Sequence, residues 1–304
     1  MLSGAFVPML FRRVEGAEPA RAFAARMLGW PEVGEGLYDA GNALVGFGVQ
    51  AAEMGPGVCS RENLRPVATG VNPASELRVA AADFDGAVRR VAGALGVPWE
   101  TLSASVRHDR EGCSLSFHDA TGNLTTLLRP LRRPRAASVN GPLRDADVPA
   151  VVEVALQVAD LARSLRFYCG VLGVPALRVA EREARLDAGP LVLALVAEEE
   201  PGAVAGLRRR GALRDSVIFR VAGLEDEVRA LAGRGVEFPL GVEECAAARR
   251  KAFFFDPDGH RLVLWEPPRA AEPGTAAAGY LPVLERIEAR HAAHPSSTPA
   301  LEAR

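Results

Sequence analysis

The run Val151-Val152-Glu153-Val154-Ala155-Leu156-Gln157-Val158 sets one carboxylate in an apolar, β-rich stretch. Burial disfavours the charged form of a glutamate, so a carboxyl withdrawn from water keeps its proton longer and suits general-base work. Two arginines sit in similar runs. Arg220 belongs to Ser216-Val217-Ile218-Phe219-Arg220-Val221, and Arg261 alternates with Val263 and Trp265 between Leu262 and Leu264. A guanidinium grips a carboxylate or phenolate through a planar fork of donors, and an indole offers a face for stacking. The plainer reading is that the arginines only balance Glu153 and that Trp265 closes an apolar wall. The first half holds a comparable polar set, Arg13, Glu76 and Arg78, beside Met9, Phe11 and Thr126.

Other groups invite chemistry less. Asp256 and Asp258 form a carboxylate pair, but within Asp-Pro-Asp-Gly they read as turn residues. His118 ends an alternating run and could act as an acid or base or as a hydrogen-bonded wall residue. His108, His260, His291 and His294 stand near hairpins or in the tail. Gly46-Phe47-Gly48 lacks the third glycine and following helix of a nucleotide fingerprint. Cys59, Cys113, Cys169 and Cys245 form no C-x-x-C pair, which argues against a zinc knuckle or redox motif.

Composition bounds the setting. The 304 residues suggest about two domains, and 48% hydrophobic content suffices for real cores. A net charge of −2 gives no basic face for nucleic acid. Lys251 is the single lysine, so 35 of the 36 basic residues are Arg, a bias that reads as GC-rich bacterial coding. There is no signal-peptide layout and no run of about 18 apolar residues, so the expected location is the cytoplasm, with no membrane partner.

The elements that position these residues repeat four times. A strand over 151–158 meets a polar break at Ala159-Asp160. A helix follows, with Leu161, Leu165, Tyr168 and Leu172 on one face, and Gly173 stops it. Residues 179–197 read as two strands about Ala188-Gly189-Pro190. The plan returns as a strand at 216–221, a helix at 224–233 and a hairpin of 252–255 with 261–265. The first half follows it too: strand 6–14, helix 19–28, strand pair 36–49, then strand 76–81, helix 84–95 and a hairpin of 113–118 with 123–128 around Asp119-Ala120-Thr121-Gly122. Leu-Gly-Val-Pro recurs at 95–98 and 172–175, and FHDATGNLTTLLRP aligns in register with FFDPDGHRLVLWEP. A Pro- and Arg-rich linker spans 129–147, and the tail holds one expected helix over 281–291.

VALQVADLARSLRFYCGVLGVP together with FFFDPDGHRLVLWEP resembles a module of the vicinal oxygen chelate superfamily, which includes glyoxalases, bleomycin-resistance proteins and extradiol dioxygenases. The likeness is strong over 148–268 and carries over to 5–130 mainly through the repeat. It implies an α+β protein of two modules, 1–134 and 148–268, with a tail over 269–304. In each, two βαβββ units form an open eight-stranded mixed β-cup, with helices outside and the ligand in the concavity. Side-chain alternation then points Glu153, Ala155, Gln157, Ser216, Ile218, Arg220, Arg261, Val263 and Trp265 into the cup. Metal-binding relatives keep His, Gln or Glu at three concave places. Here those places read Glu153, Ser216 and Val263 in the second half, and Met9, Glu76 and Thr126 in the first. One carboxylate in each set implies no metal and no cofactor.

The expected function is therefore a metal-independent enzyme acting on a small organic molecule, an isomerase, cyclase or lyase of secondary metabolism. Glu153 would move a proton while Arg220 steadies an enolate or carboxylate. Gln157, Ser216, Arg261, Val263, Trp265, Met9, Phe11, Arg13, Glu76, Arg78 and Thr126 would line the ligand. The alternative is a non-catalytic binder of the antibiotic-sequestering type, against which the 6% aromatic content and Arg-rich cup count mildly. A metal-dependent dioxygenase comes third, and a homodimer is compatible with all three.

Overall fold

The computed structural model of the protein describes residues 2, 6–14, 17–34, 36–49, 72–108, 112–118, 123–130, 149–204, 215–245 and 249–293. The expected turn at Asp119-Ala120-Thr121-Gly122, the linker from 131 to 147, His294, Cys59 and the side chain of Arg13 lie outside the described residues.

Four βαβββ units follow one another. The first comprises β1 (Met9–Val14), α1 (Ala17–Arg21) running on into a π-helical stretch (Ala22–Met27), β2 (Glu32–Gly34), β3 (Leu37–Asp39) and β4 (Leu44–Val49). The second comprises β5 (Asn72–Ala80), α2 (Phe84–Leu95), α3 (Trp99–Ser103), β6 (Arg107–His108), β7 (Gly112–His118) and β8 (Asn123–Pro130). The third comprises β9 (Ala150–Val158), α4 (Leu161–Leu165) with a π-helical continuation (Arg166–Leu172), β10 (Ala176–Val179), β11 (Glu183–Asp187) and β12 (Val192–Ala197). The fourth comprises β13 (Asp215–Arg220), α5 (Leu224–Ala232), β14 (Glu243–Cys245), β15 (Arg249–Phe255) and β16 (Arg261–Glu266), and a further helix, α6 (Ala276–Ala293), is the last described element.

Local chemistry explains the helix boundaries. The Asp160 carboxylate accepts a hydrogen bond from the Arg163 backbone N–H at 2.9 Å, and Asp83 does the same for Gly86 at 2.9 Å, so both helices start on an acidic N-cap. Gly173 ends the third unit's helix in the left-handed region. The strands missing from the sequence reading are β2, β6, β10 and β14, at sheet margins and two to four residues long, too short for alternation to register.

Two eight-stranded mixed sheets result, ordered β14-β15-β16-β13-β1-β4-β3-β2 and β10-β11-β12-β9-β5-β8-β7-β6. The two units of each half of the chain therefore do not share a cup, contrary to the sequence reading. The first unit completes the fourth through antiparallel β1 and β13, with Met9 opposite Ile218, and the second completes the third through antiparallel β5 and β9, with Arg78 opposite Glu153. Each unit leaves its first strand as an open edge, and any sister unit's first strand can satisfy it, so the repeat alone does not choose the partner.

One apolar core serves the convex faces of both sheets and the helices on them. It joins Phe23, Met27, Leu10 and Val45 to Tyr168, Leu172, Leu156 and Leu193. Buried polar contacts tie the sheets together. Arg12 reaches Asp215 Oδ2 at 3.1 Å and Thr125 Oγ1 at 3.3 Å, and the Trp30 indole donates to the Pro149 carbonyl at 2.6 Å.

Candidate functional site

The concave face of the first sheet is filled from within the chain. Met9, Leu44, Ile218, Phe253, Val263 and Trp265 are buried there against Tyr280, Val283, Leu284 and Ile287 of α6. Those four recur at helical spacing and form one apolar stripe, which the strands cover as they would a ligand. The Trp265 ring lies 5.9 Å from the Tyr280 ring, so the expected stacking surface is taken by the protein's own side chain. Gly279 lets α6 press close, because a Cβ there would run into the Val33 carbonyl of β2. The helix begins at Ala276, upstream of the expected residue 281. Pro282 sits inside it and removes only one backbone donor.

This arrangement corrects three expectations. Arg220 was expected beside Glu153, yet the two stand in different sheets, and Arg220 Nε pairs with Glu288 Oε1 of α6 at 2.7 Å. Arg261 likewise lies in the first sheet, with its guanidinium 4.7 Å from the Phe253 ring, so neither arginine is the partner of Glu153. Ser216, Val263, Met9 and Phe11 share the first sheet, with Ser216 buried and Phe11 half-buried. The backbone of Arg13 is in β1, so it too is separated from Glu76 and Arg78. A cavity of about 470 Å³ remains beside the end of α6, lined by Phe6, Phe219, Arg220, Asp226, Glu288 and His291.

The second sheet brings together a different set. Across its concave face runs a row of polar contacts. The Ser116 and Thr126 hydroxyls lie 2.7 Å apart, and Thr126 donates to Glu76 Oε1. Arg78 Nε donates to Glu76 Oε2 at 3.1 Å and its Nη1 to Glu153 Oε1. Arg185 Nε stands 3.5 Å from Glu153 Oε2 and 2.7 Å from Glu183 Oε1. Two guanidiniums thus alternate with three carboxylates. Glu153 is 7% exposed, and burial pushes its carboxyl above the ordinary range against the opposing pull of Arg78 and Arg185. Burial works to lower Arg78, but Glu153 and Glu76 together hold its guanidinium above its ordinary value.

The row is flanked by small apolar side chains. Ala80, Val152 and Val192 are buried in one cluster with Leu128 and Leu177 against them, and Ala155 and Ala194 are buried on the neighbouring positions. Among the described residues no Phe, Tyr or Trp occupies a concave position of this sheet. A β-bulge shapes it: Arg78 pairs with Glu153 but Val79 pairs with Val151, which leaves Val152 as the extra residue. Gln157 is half-buried on β9, and its carbonyl accepts from His260 Nε2 at 2.7 Å. His118 is exposed on β7.

Arg185 and Glu183 were missed. The alternation Glu183-Ala184-Arg185-Leu186 carries the signal, since Ala184 and Leu186 are buried on the convex side. Asp256 and Asp258 are turn residues, as read, and they also dock the fourth unit's hairpin on the third unit's helix. Asp256 accepts from the Tyr168 hydroxyl at 3.0 Å, and Asp258 from Ser164 at 3.0 Å and Arg163 at 2.5 Å.

The fold and the two concavities define a class. Residues 150–264 match the family model of the Glyoxalase/Bleomycin resistance protein/Dioxygenase superfamily. Over the whole chain the fold is similar to that of a Bacillus subtilis protein provisionally assigned as a dioxygenase, at 14% identity, full coverage of both chains and a TM-score of 0.61. It is also similar to glyoxalase I from Zea mays, at 16% identity, covering 93% of this chain and 96% of that one with a TM-score of 0.55. No curated protein matches the sequence.

The metal that such a class implies finds poor donors in either concavity. In the first sheet the corresponding residues are Met9, Ser216 and Val263, which offer one hydroxyl. In the second, Glu76, Glu153 and Thr126 converge, but both carboxylates already face Arg78. Among the described residues no three His, Cys, Asp or Glu side chains gather as a metal site. With Arg78 already set between the two carboxylates of the second sheet, and no carboxylate at the corresponding places of the first, these residues do not fit a resident ion.

Proposed function

We propose that the second concavity is the ligand site and that the chain is a metal-independent enzyme acting on a small organic molecule, an isomerase, cyclase or lyase of bacterial secondary metabolism. The observation that carries this reading is the buried Glu153, set between Arg78 and Arg185 on a floor of small aliphatic side chains. Arg78 and Arg185 take the part first expected of Arg220. In the proposed step the Glu153 carboxylate removes a proton from carbon next to a carbonyl. The electron pair moves onto the carbonyl oxygen, which a guanidinium N–H steadies. The proton then returns to a different carbon, or a leaving group departs. The free thiols Cys113 and Cys169 suit the cytoplasm that this reading assumes.

A non-catalytic small-molecule binder is the second reading. It is favoured by the saturation of Glu153, since an ion-paired carboxylate is also what a rigid structural network contains.

Deuterium exchange separates the two. A set of aliphatic and aromatic keto acids is incubated with the protein in heavy water, after thermal-shift selection for binding. The expected result is wash-in at the carbon next to the carbonyl, slowed by about 10²–10⁴-fold in Glu153→Gln with binding retained. Exchange at an unchanged rate in Glu153→Gln would refute the catalytic reading.

A further inference from the structure

Arg78 lies where two carboxylates and a hydroxyl converge. Glu76 reaches it from its own strand, with Arg78 Nη2 to Glu76 Oε2 at 3.0 Å, Glu153 reaches it from the neighbouring strand, and Thr126 holds the other oxygen of Glu76. All four residues are on the concave side of the second sheet, and Arg78 is only 21% exposed at its side chain. Both carboxylates lose hydration here, and Arg78 is the cation that touches both, whereas Arg185 Nε stands 3.5 Å from Glu153 Oε2 on the far side. The fold supplies that cation from within the chain. Among the described residues the equivalent floor of the first sheet carries no such pair.

We infer that Arg78 is the resident cation of this concavity, occupying a latent divalent-ion site formed by Glu76, Glu153 and Thr126. The inference deepens the proposed function and rests on it only for the choice of concavity. It assigns Arg78 a chemistry as well as a place. A guanidinium presents fixed N–H donors to an oxyanion and has no open coordination position. It therefore favours proton transfer next to a carbonyl, and the charge it supplies is insensitive to chelators. Hard oxygen donors of this type suit Mg²⁺ or Mn²⁺ better than softer ions.

The test is Mn²⁺ binding to the full-length protein, followed by electron paramagnetic resonance and calorimetry. Arg78→Ala and Arg78→Met are expected to take up one equivalent of Mn²⁺ at least tenfold more tightly than the wild type, and Arg78→Ala/Glu153→Gln is expected to lose that gain. Arg78→Lys, which keeps a cation, is expected to stay as weak as wild type. Folded Arg78→Ala and Arg78→Met proteins that bind Mn²⁺ no better than wild type would overturn the inference. So would a wild-type protein that already binds one Mn²⁺ tightly through Glu153. Should both variants fail to fold, Mn²⁺ is added during refolding. Rescue that disappears with Glu153→Gln supports a latent site, and absence of rescue counts against it. These readouts need no turnover, so the latent site can fail while Glu153→Gln still slows exchange, and the converse result is equally recognisable.

Discussion

The two concavities share one backbone plan and have opposite fillings. In the sheet of the first and fourth units the floor is Met9, Leu44, Ile218, Val263 and Trp265, and α6 lies on it with Tyr280, Val283, Leu284 and Ile287. In the sheet of the second and third units the corresponding central strands carry Glu76, Arg78, Thr126 and Glu153. An apolar floor exposed to water would be a sticky patch, and covering it with a helix removes that liability while adding core. A charged floor cannot be covered by an apolar stripe, because the ions would lose water without gaining partners. The duplicated scaffold has thus divided its labour: one concavity is filled by the chain's own helix, and the other keeps a charged floor that the proposed function assigns to a ligand.

The comparison breaks if α6 is a detachable lid instead of a core element. Leu284 is 3% exposed and packed inside the first concavity. Leu284→Ala is expected to lower the unfolding free energy by about 2–5 kcal/mol, the range for truncating a buried leucine. Urea denaturation measures it. A loss below about 1 kcal/mol would mean that the helix only rests on the sheet. Dye binding to newly exposed apolar surface should rise in the same variant.

A pair of glycine substitutions sharpens the point with opposite signs. At Gly279 an added methyl group meets the backbone of Val33, which cannot swing aside. Gly279→Ala is expected to destabilise by about 1–3 kcal/mol through overpacking, despite the better helix propensity of alanine. At Gly93, on the exposed side of α2, an added methyl meets nothing within 4 Å. Gly93→Ala is expected to stabilise by about 0.5–1 kcal/mol. Thermal melts of the two variants check the signs. Equal effects would deny that α6 touches β2 as closely as described.

Much of this contrast was legible residue by residue, but not as an assembly. Strand parity placed Glu153, Gln157, Ser216, Val263 and Trp265 on concave faces, because alternation is a local property of the pleat. It could not say which concave residues meet, since the open edges of four like units are interchangeable. That is why Glu153 was matched to Arg220 when its partners are Arg78 and Arg185. The bulge at Val152 was equally invisible, because an extra residue shifts pairing without altering the apolar pattern of its strand. The stripe from Tyr280 to Ile287 announces a helix that must be buried somewhere. Its destination depends on the shape of the first concavity, which no single segment encodes.

Acid titration gives the smallest effect and tests both sites at once. Burial raises the carboxyl of Glu153 above its ordinary value, and burial also raises that of half-exposed Glu288 beside Arg220. A carboxyl with a raised pKa binds its proton more tightly in the folded chain than in the unfolded one. Its contribution to stability is full below the ordinary glutamate value of about 4.3 and is lost as pH rises through the folded value. The stability of the wild type relative to Glu153→Gln should therefore fall as pH rises from about 4 through that raised value. The same comparison with Glu288→Gln should give a shallower slope, because water screens a side chain that is 31% exposed. Urea titrations at successive pH values would show the two slopes. A steeper slope for Glu288→Gln would place the more strongly desolvated carboxylate in the helix-filled concavity, and the division of labour between the two sheets would have to be reversed.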